Sequence, residues 1–146
     1  TDVTVEAGTR YSYRVAAQDD GADTSPPSEP LDVVAEEPLV TVTFRVTVPA
    51  GTPADAQLYI AGDFQGWAPG DTRMTGRDDA TWSIDLPFES GTTIEYKYTR
   101  GSWEAVEKDE ACGEIPNRRL TVDGSAGPVQ LVEDVVARWR DLDACP

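Results

Sequence analysis

Residues 40–48 read Val-Thr-Val-Thr-Phe-Arg-Val-Thr-Val, apolar at every even position and polar or charged at almost every odd one. A period of two matches the pleat of a strand with one face in a core and the other in water, whereas a helix would scatter these side chains around its circumference. The same signature recurs in Tyr11, Tyr13, Val15 and Ala17, in Trp82, Ile84 and Leu86, and in Ile94, Tyr96 and Tyr98. Leu120 and Val122 predict a further strand, and Val129 to Trp139 a last one, with Trp139 alternating with Val135 and Ala137. Eleven prolines and twelve glycines punctuate these runs. Only Val132 to Leu142 can be argued as a helix, and it reads equally well as a strand. Short strands separated by turn signals predict an all-β antiparallel sandwich.

Charge narrows the function. Twenty-seven acidic against twelve basic residues give a net charge of −15. A chain so short of cations has no means of neutralising phosphates, which argues against nucleic-acid and anionic-membrane partners. It has no histidine, which removes the usual proton shuttle, His-based nucleophilic catalysis and His-ligated metal. Two cysteines are too few for a four-thiolate zinc site. No apolar run reaches the ~18 residues of a membrane helix. No signal peptide opens at Thr1, so an export signal is expected outside the sequence. A glycosidase needs only two carboxylates across a cleft, but none stands out from the acidic background and so small a sandwich offers little cleft. The expectation is a protein without catalytic residues, metal or cofactor.

The stretch Glu36-Glu-Pro38 divides the sequence into 1–37 and 39–146 and, being short and stiff, predicts a restricted orientation between the two parts. Asp19, Asp20 and Asp23 lack the spacing of a calcium loop and read as a solvated turn. Gly8-Thr-Arg-Tyr-Ser-Tyr-Arg-Val15, followed by Ser25-Pro-Pro-Ser-Glu-Pro30, resembles the last strands of a fibronectin type III domain. That resemblance implies a tyrosine corner at Tyr11 and a module whose front strands are missing; a hairpin packed on the second part is the alternative. In either case the face of Tyr11, Tyr13 and Val15 is expected to need a covering sheet.

The four tryptophans sort into two kinds. Trp82 and Trp139 lie in strand patterns and read as core, whereas Trp67 and Trp103 sit in the polar, glycine-flanked stretches Gln-Gly-Trp-Ala-Pro-Gly and Arg-Gly-Ser-Trp-Glu. A loop indole either caps an end of the sandwich or serves as a stacking plate. Sugars suit such plates, because their rings have apolar C–H faces rimmed with hydroxyls.

Gly62-Asp-Phe-Gln-Gly-Trp67-Ala-Pro, Thr81-Trp-Ser-Ile-Asp-Leu-Pro87 and Ile94-Glu-Tyr-Lys97-Tyr resemble starch- and glycogen-binding modules, most closely carbohydrate-binding module family 48. Trp103-Glu, Pro116-Asn117-Arg-Arg-Leu-Thr-Val122 and Val136-Ala-Arg-Trp139-Arg are more similar to family 20. The resemblance covers nearly all of 39–146 and implies an immunoglobulin-like sandwich of the starch-binding type, serving a covalently linked, glucan-active catalytic domain outside the sequence. It implies stacking by Trp67 and Trp103 on an α-1,4-glucan and polar contacts from Lys97 and Asn117, with Glu95 and Glu104 at the periphery. For Lys97 the competing reading is a surface ion pair with a neighbouring Glu. The segment from Val106 to Ile115 is longer than the matching family-20 loop. The loops at 49–55 and 75–80 carry no aromatic residue, so a second sugar site is not expected. The resemblance to secreted modules implies an extracellular location and a disulfide between Cys112 and Cys145. The alternative function is an extracellular protein-interaction module that binds no sugar, which leaves the loop tryptophans unexplained.

Overall fold

The structure, a computed structural model, describes residues 8–21, 23–36, 38–77 and 80–142. The chain divides into two compact units, Thr1–Pro38 and Leu39–Pro146. In the first, β1 (Arg10–Tyr13) pairs antiparallel with β2 (Leu31–Val34), with Tyr11 opposite Val33. Asp19 Oδ1 accepts from the Gly21 and Asp23 amides at 2.9 and 3.0 Å, so the acidic loop is held as a turn by its own carboxylate. On the tyrosine face Tyr11 is half-buried, Tyr13 is 42% and Val15 74% exposed, and the rings of Tyr11 and Tyr13 stack on each other at 6.4 Å.

The second unit is a sandwich. Its strands are β3 (Leu39–Thr47), β4 (Tyr59–Gly62), β5 (Thr75–Gly76), β6 (Thr81–Glu89), β7 (Thr93–Thr99), β8 (Glu107–Lys108), β9 (Arg118–Thr121), β10 (Val129–Val135) and β11 (Arg138–Trp139). One sheet has the order β10-β3-β6-β5, the other β4-β7-β9, and β8 pairs with β11. The alternation along β3 becomes burial directly. Val40, Val42, Phe44 and Val46 line the core, and the odd positions between them stay partly exposed. From the opposite sheet Ile60, Ile94, Tyr96 and Tyr98 close on this row, and Phe44 meets Tyr96 edge to face at 5.1 Å. At about 25 cal/mol per Å² of apolar surface removed from water, this interdigitated layer is the main source of stability.

Two features depart from the expected pattern. The sheet is mixed, because β10 runs parallel to β3, Leu131 lying opposite Thr43. A parallel pair needs a long crossover, and here all the strands from β4 to β9 intervene between the partners. The expected last strand is also two strands. β10 ends at Val135, which is 66% exposed, Val136 continues its alternation inward at 1%, and the period then breaks before Trp139. β11 then joins β8, so Trp139 is core as expected but does not share a face with Val135. The buried indole N–H finds a partner in Thr52 Oγ1 at 2.8 Å, which a deeply placed tryptophan requires.

Between the sheets lies a polar cluster. Arg118 makes a two-pronged contact with the buried Glu107, its Nη2 reaching Oε2 at 2.7 Å, and its Nη1 donates to Asp134 at 3.0 Å. Glu107 Oε1 accepts the Tyr98 amide at 3.0 Å, and both tyrosine hydroxyls of β7 donate to Asp134 Oδ2 at 2.9 Å. Burial lowers the Arg118 pKa, but the Glu107 hydrogen bond and the Glu107 and Asp134 charges outweigh it and hold the guanidinium more firmly protonated. One half-buried cation thereby ties β7, β8, β9 and β10 together.

Candidate functional site

The candidate site is built on one end of the β4-β7-β9 sheet. β4 runs into a 3₁₀ turn at Asp63–Gln65 through Gly62, where a side chain would collide with the Phe64 ring at 2.4 Å and the Glu95 carbonyl at 2.6 Å. Gly66 and then Trp67 follow with φ of 71° and 58°. A tryptophan in the left-handed region is costly, on the order of 1–2 kcal/mol, and persists only where the surroundings impose it. Gln65 does so. Its Oε1 accepts the Ala68 amide at 2.6 Å while its Nε2 donates to the Ala68 carbonyl at 2.7 Å and lies 3.3 Å from Thr72 Oγ1. The Trp67 amide returns to the Gly62 carbonyl at 2.9 Å. The loop is thus clamped on both sides of the indole.

The second plate comes from the chain leaving β7. Trp103 opens a 3₁₀ turn, Trp103–Ala105, that the Arg100 amide closes on the Ala105 carbonyl at 3.0 Å. The two indoles meet with ring centroids 6.4 Å apart and planes inclined at 43°; Trp67 is half-buried and Trp103 36% exposed. Neither ring belongs to the core cluster. Glu104 follows Trp103 at the exposed rim, its carboxyl held below the usual range by its own backbone amide and the Ser102 hydroxyl. It is therefore an anion at neutral pH.

β7 supplies the polar side. Ile94, Tyr96 and Tyr98 point into the core, so Glu95 and Lys97 share the other face. Lys97 is only 9% exposed, and its Nζ donates to the Ile115 carbonyl at 2.6 Å rather than pairing with a carboxylate. That uses one of its three donors. Asn117 is exposed; its Nδ2 donates to Glu95 Oε2 at 3.3 Å. The Glu95 amide in turn donates to Asp63 Oδ2 at 3.2 Å, which ties this strand to the loop carrying Trp67. The structure thus brings Trp67 and Trp103 together as one pair and links Glu95 with Asn117, while Lys97 fastens the loop before Asn117.

The long segment after β8 is ordered by Asp109, whose Oδ1 accepts the Ala111 and Gly113 amides at 2.9 and 2.6 Å. Lys108 pairs with Glu114, which lowers the pKa of that carboxyl. Cys112 lies in this turn with φ of 64°, and no cysteine among the described residues is free. Cys145, its expected partner, lies outside the described residues.

Gln65 and Asp63 were not singled out by sequence, although both sit inside Gly62-Asp-Phe-Gln-Gly-Trp67. Polar side chains between two glycines beside a loop indole are the signal that marks them.

The starch binding domain family model, CBM_20, matches residues 39–130, which includes Trp67, Lys97, Trp103 and Asn117. The chain is 41% identical over 143 residues to an amylopullulanase of Thermoanaerobacter thermohydrosulfuricus, covering 97% of this chain and 10% of that protein. An amylopullulanase of Thermoanaerobacterium thermosulfurigenes is 40% identical over 144 residues, 97% of this chain and 8% of its own. The chain thus spans about a tenth of the length of these curated relatives. Among solved structures, the glycoside hydrolase family 15 glucoamylase from Hypocrea jecorina superposes with a TM-score of 0.51 at 24% identity, over 71% of this chain and 18% of that one. This likeness carries the fold. With the sandwich, the paired loop indoles and the family match over residues 39–130, the chain belongs to the starch binding domain family and is a non-catalytic carbohydrate-binding module.

Proposed function

We propose that residues 39–146 bind α-1,4-glucan, as starch, glycogen or maltooligosaccharide, on the Trp67–Trp103 platform. The observation that carries this reading is the pair of solvent-accessible indoles inclined at 43°. Two coplanar plates suit a flat ligand; two inclined plates suit consecutive rings of a chain that bends, with each C–H face on one indole. Lys97, Asn117 and Glu95 then receive the hydroxyl rim, with Glu104 beside Trp103 at the periphery. Asn117 keeps its amide oxygen and one N–H available beyond its Glu95 bond. The module holds an attached glucan-active enzyme on its substrate, a role supported by the amylopullulanase relatives, which are about ten times longer.

Residues 1–37 form the end of a fibronectin type III module in this reading, supported by the β1–β2 pairing and the Tyr11 motif. The protein works outside the cell, and Cys112 pairs with Cys145, closing a loop worth ~4 kcal/mol on the chain-entropy relation. Isothermal titration with β-cyclodextrin and maltoheptaose tests the function. Saturable heat with no change in the sugar supports it. Turnover would make the chain an enzyme, and absence of heat with both sugars would favour the protein-interaction alternative.

A further inference from the structure

The two indoles sit on separate loops, so something must fix the distance and angle between them. The last residue of β7 does this: Thr99 is fully buried, its hydroxyl donates to the Pro69 carbonyl of the Trp67 loop at 2.5 Å, and the same oxygen accepts the Gly101 amide of the Trp103 loop at 3.1 Å. One hydroxyl therefore holds both loops. At the same point the backbones touch. A side chain on Gly70 would meet the Gly101 carbonyl oxygen at 2.9 Å, and Gly101 itself has φ of 106°, open only to glycine at low cost. Pro69 and Gly70 lie two and three residues past Trp67, and Gly101 lies two before Trp103, so a displacement at this seam moves both rings.

We propose that Thr99 is a positioning residue for the glucan platform: its buried hydroxyl, acting as donor to one loop and acceptor from the other across the Gly70–Gly101 seam, sets the separation and inclination of Trp67 and Trp103. Thr99 touches no ligand; it acts through the indole pair. The glucan part of the claim rests on the proposed function, whereas the geometric part does not.

The test uses the whole chain with Thr99→Val, which keeps the shape and removes the hydroxyl, and Thr99→Ser, which keeps the hydroxyl. Gly70→Ala pries the seam apart without touching Thr99. Near-ultraviolet circular dichroism reads the coupling of the two indoles, and titration reads β-cyclodextrin affinity. Thr99→Val and Gly70→Ala should each alter the indole band and weaken binding by about tenfold, within the range of contacts that couple through a shared neighbour. Thr99→Ser should restore both readouts. In a Trp67→Ala background, Thr99→Val should cost little further affinity, because the pair it positions no longer exists. An unchanged indole band and affinity in the variants, or an equal loss with and without Trp67, would overturn the proposal. If Thr99→Val does not fold, Gly70→Ala decides by the same two readouts. A wild-type chain that fails to bind β-cyclodextrin overturns the glucan reading, and the indole band then decides the positioning claim by itself.

Discussion

At the scale of single residues, the site depends on side chains held in conformations they would not choose alone. Trp67 occupies the left-handed region between a glycine and an alanine, and the amide of Gln65, bonded to both polar groups of Ala68, supplies the restraint. Gln65→Ala should leave the strands intact yet release the indole, weakening β-cyclodextrin binding by roughly 1–2 kcal/mol, the cost of the released conformation. Titration beside a thermal melt checks this; a large fall in melting temperature with unchanged affinity would place Gln65 in the fold and not in the site. The indoles themselves were legible in the sequence, because a tryptophan among glycines in a polar loop has no strand to belong to. The burial of Lys97 was not. Alternation placed its side chain opposite Tyr96 and Tyr98, but the segment that covers it, ending at Ile115, arrives from a loop whose path has no period to read.

At the scale of elements, β7 works on both faces. One presents Glu95 and Lys97 towards the site; the other carries Tyr96 and Tyr98 into the cluster of Arg118, Glu107 and Asp134. Burial first, then the Asp134 charge, raises both tyrosine pKa values well above the ordinary ~10. The sign follows from linkage. A raised folded-state pKa contributes stability that is fully present below the unfolded value of about 10 and is lost as pH rises above it. Alkaline titration should therefore show two tyrosine equivalents ionising only in the step that unfolds the sandwich, with phenolate absorbance and circular dichroism changing together. Ionisation of all five tyrosines in an intact sheet would contradict this role. The long strands β3, β6 and β7 were readable because each buries one face, which makes the period visible. The break between β10 and β11 was not, since it follows from β11 pairing with β8 and Trp139 reaching Thr52, both tertiary events. The Glu107–Arg118 pair was equally hidden: an ion pair with a buried carboxylate has the same letters as a solvated one.

At the scale of the whole molecule, the charge of −15 argues against polyanionic partners before any motif is read. It also bears on the ligand. A glucan is neutral, so its affinity should stay constant from about 10 mM to about 150 mM salt, while the screening length falls from about 30 to about 8 Å. A steep salt slope would indicate a charged partner. The division into Thr1–Pro38 and Leu39–Pro146 places the paired indoles within the second unit. The sandwich class was visible from strand spacing, whereas the parallel β10 was not, since spacing carries no direction. The central claim is that two inclined indoles form one glucan platform. Titration of β-cyclodextrin into wild type, Trp67→Ala and Trp103→Ala tests it most directly. The account predicts saturable binding by wild type and a loss of about 1–3 kcal/mol in either variant, with melting temperatures nearly unchanged. Wild-type affinity retained in both variants, with their melting temperatures lowered, would show the indoles to be caps on the sandwich and contradict it.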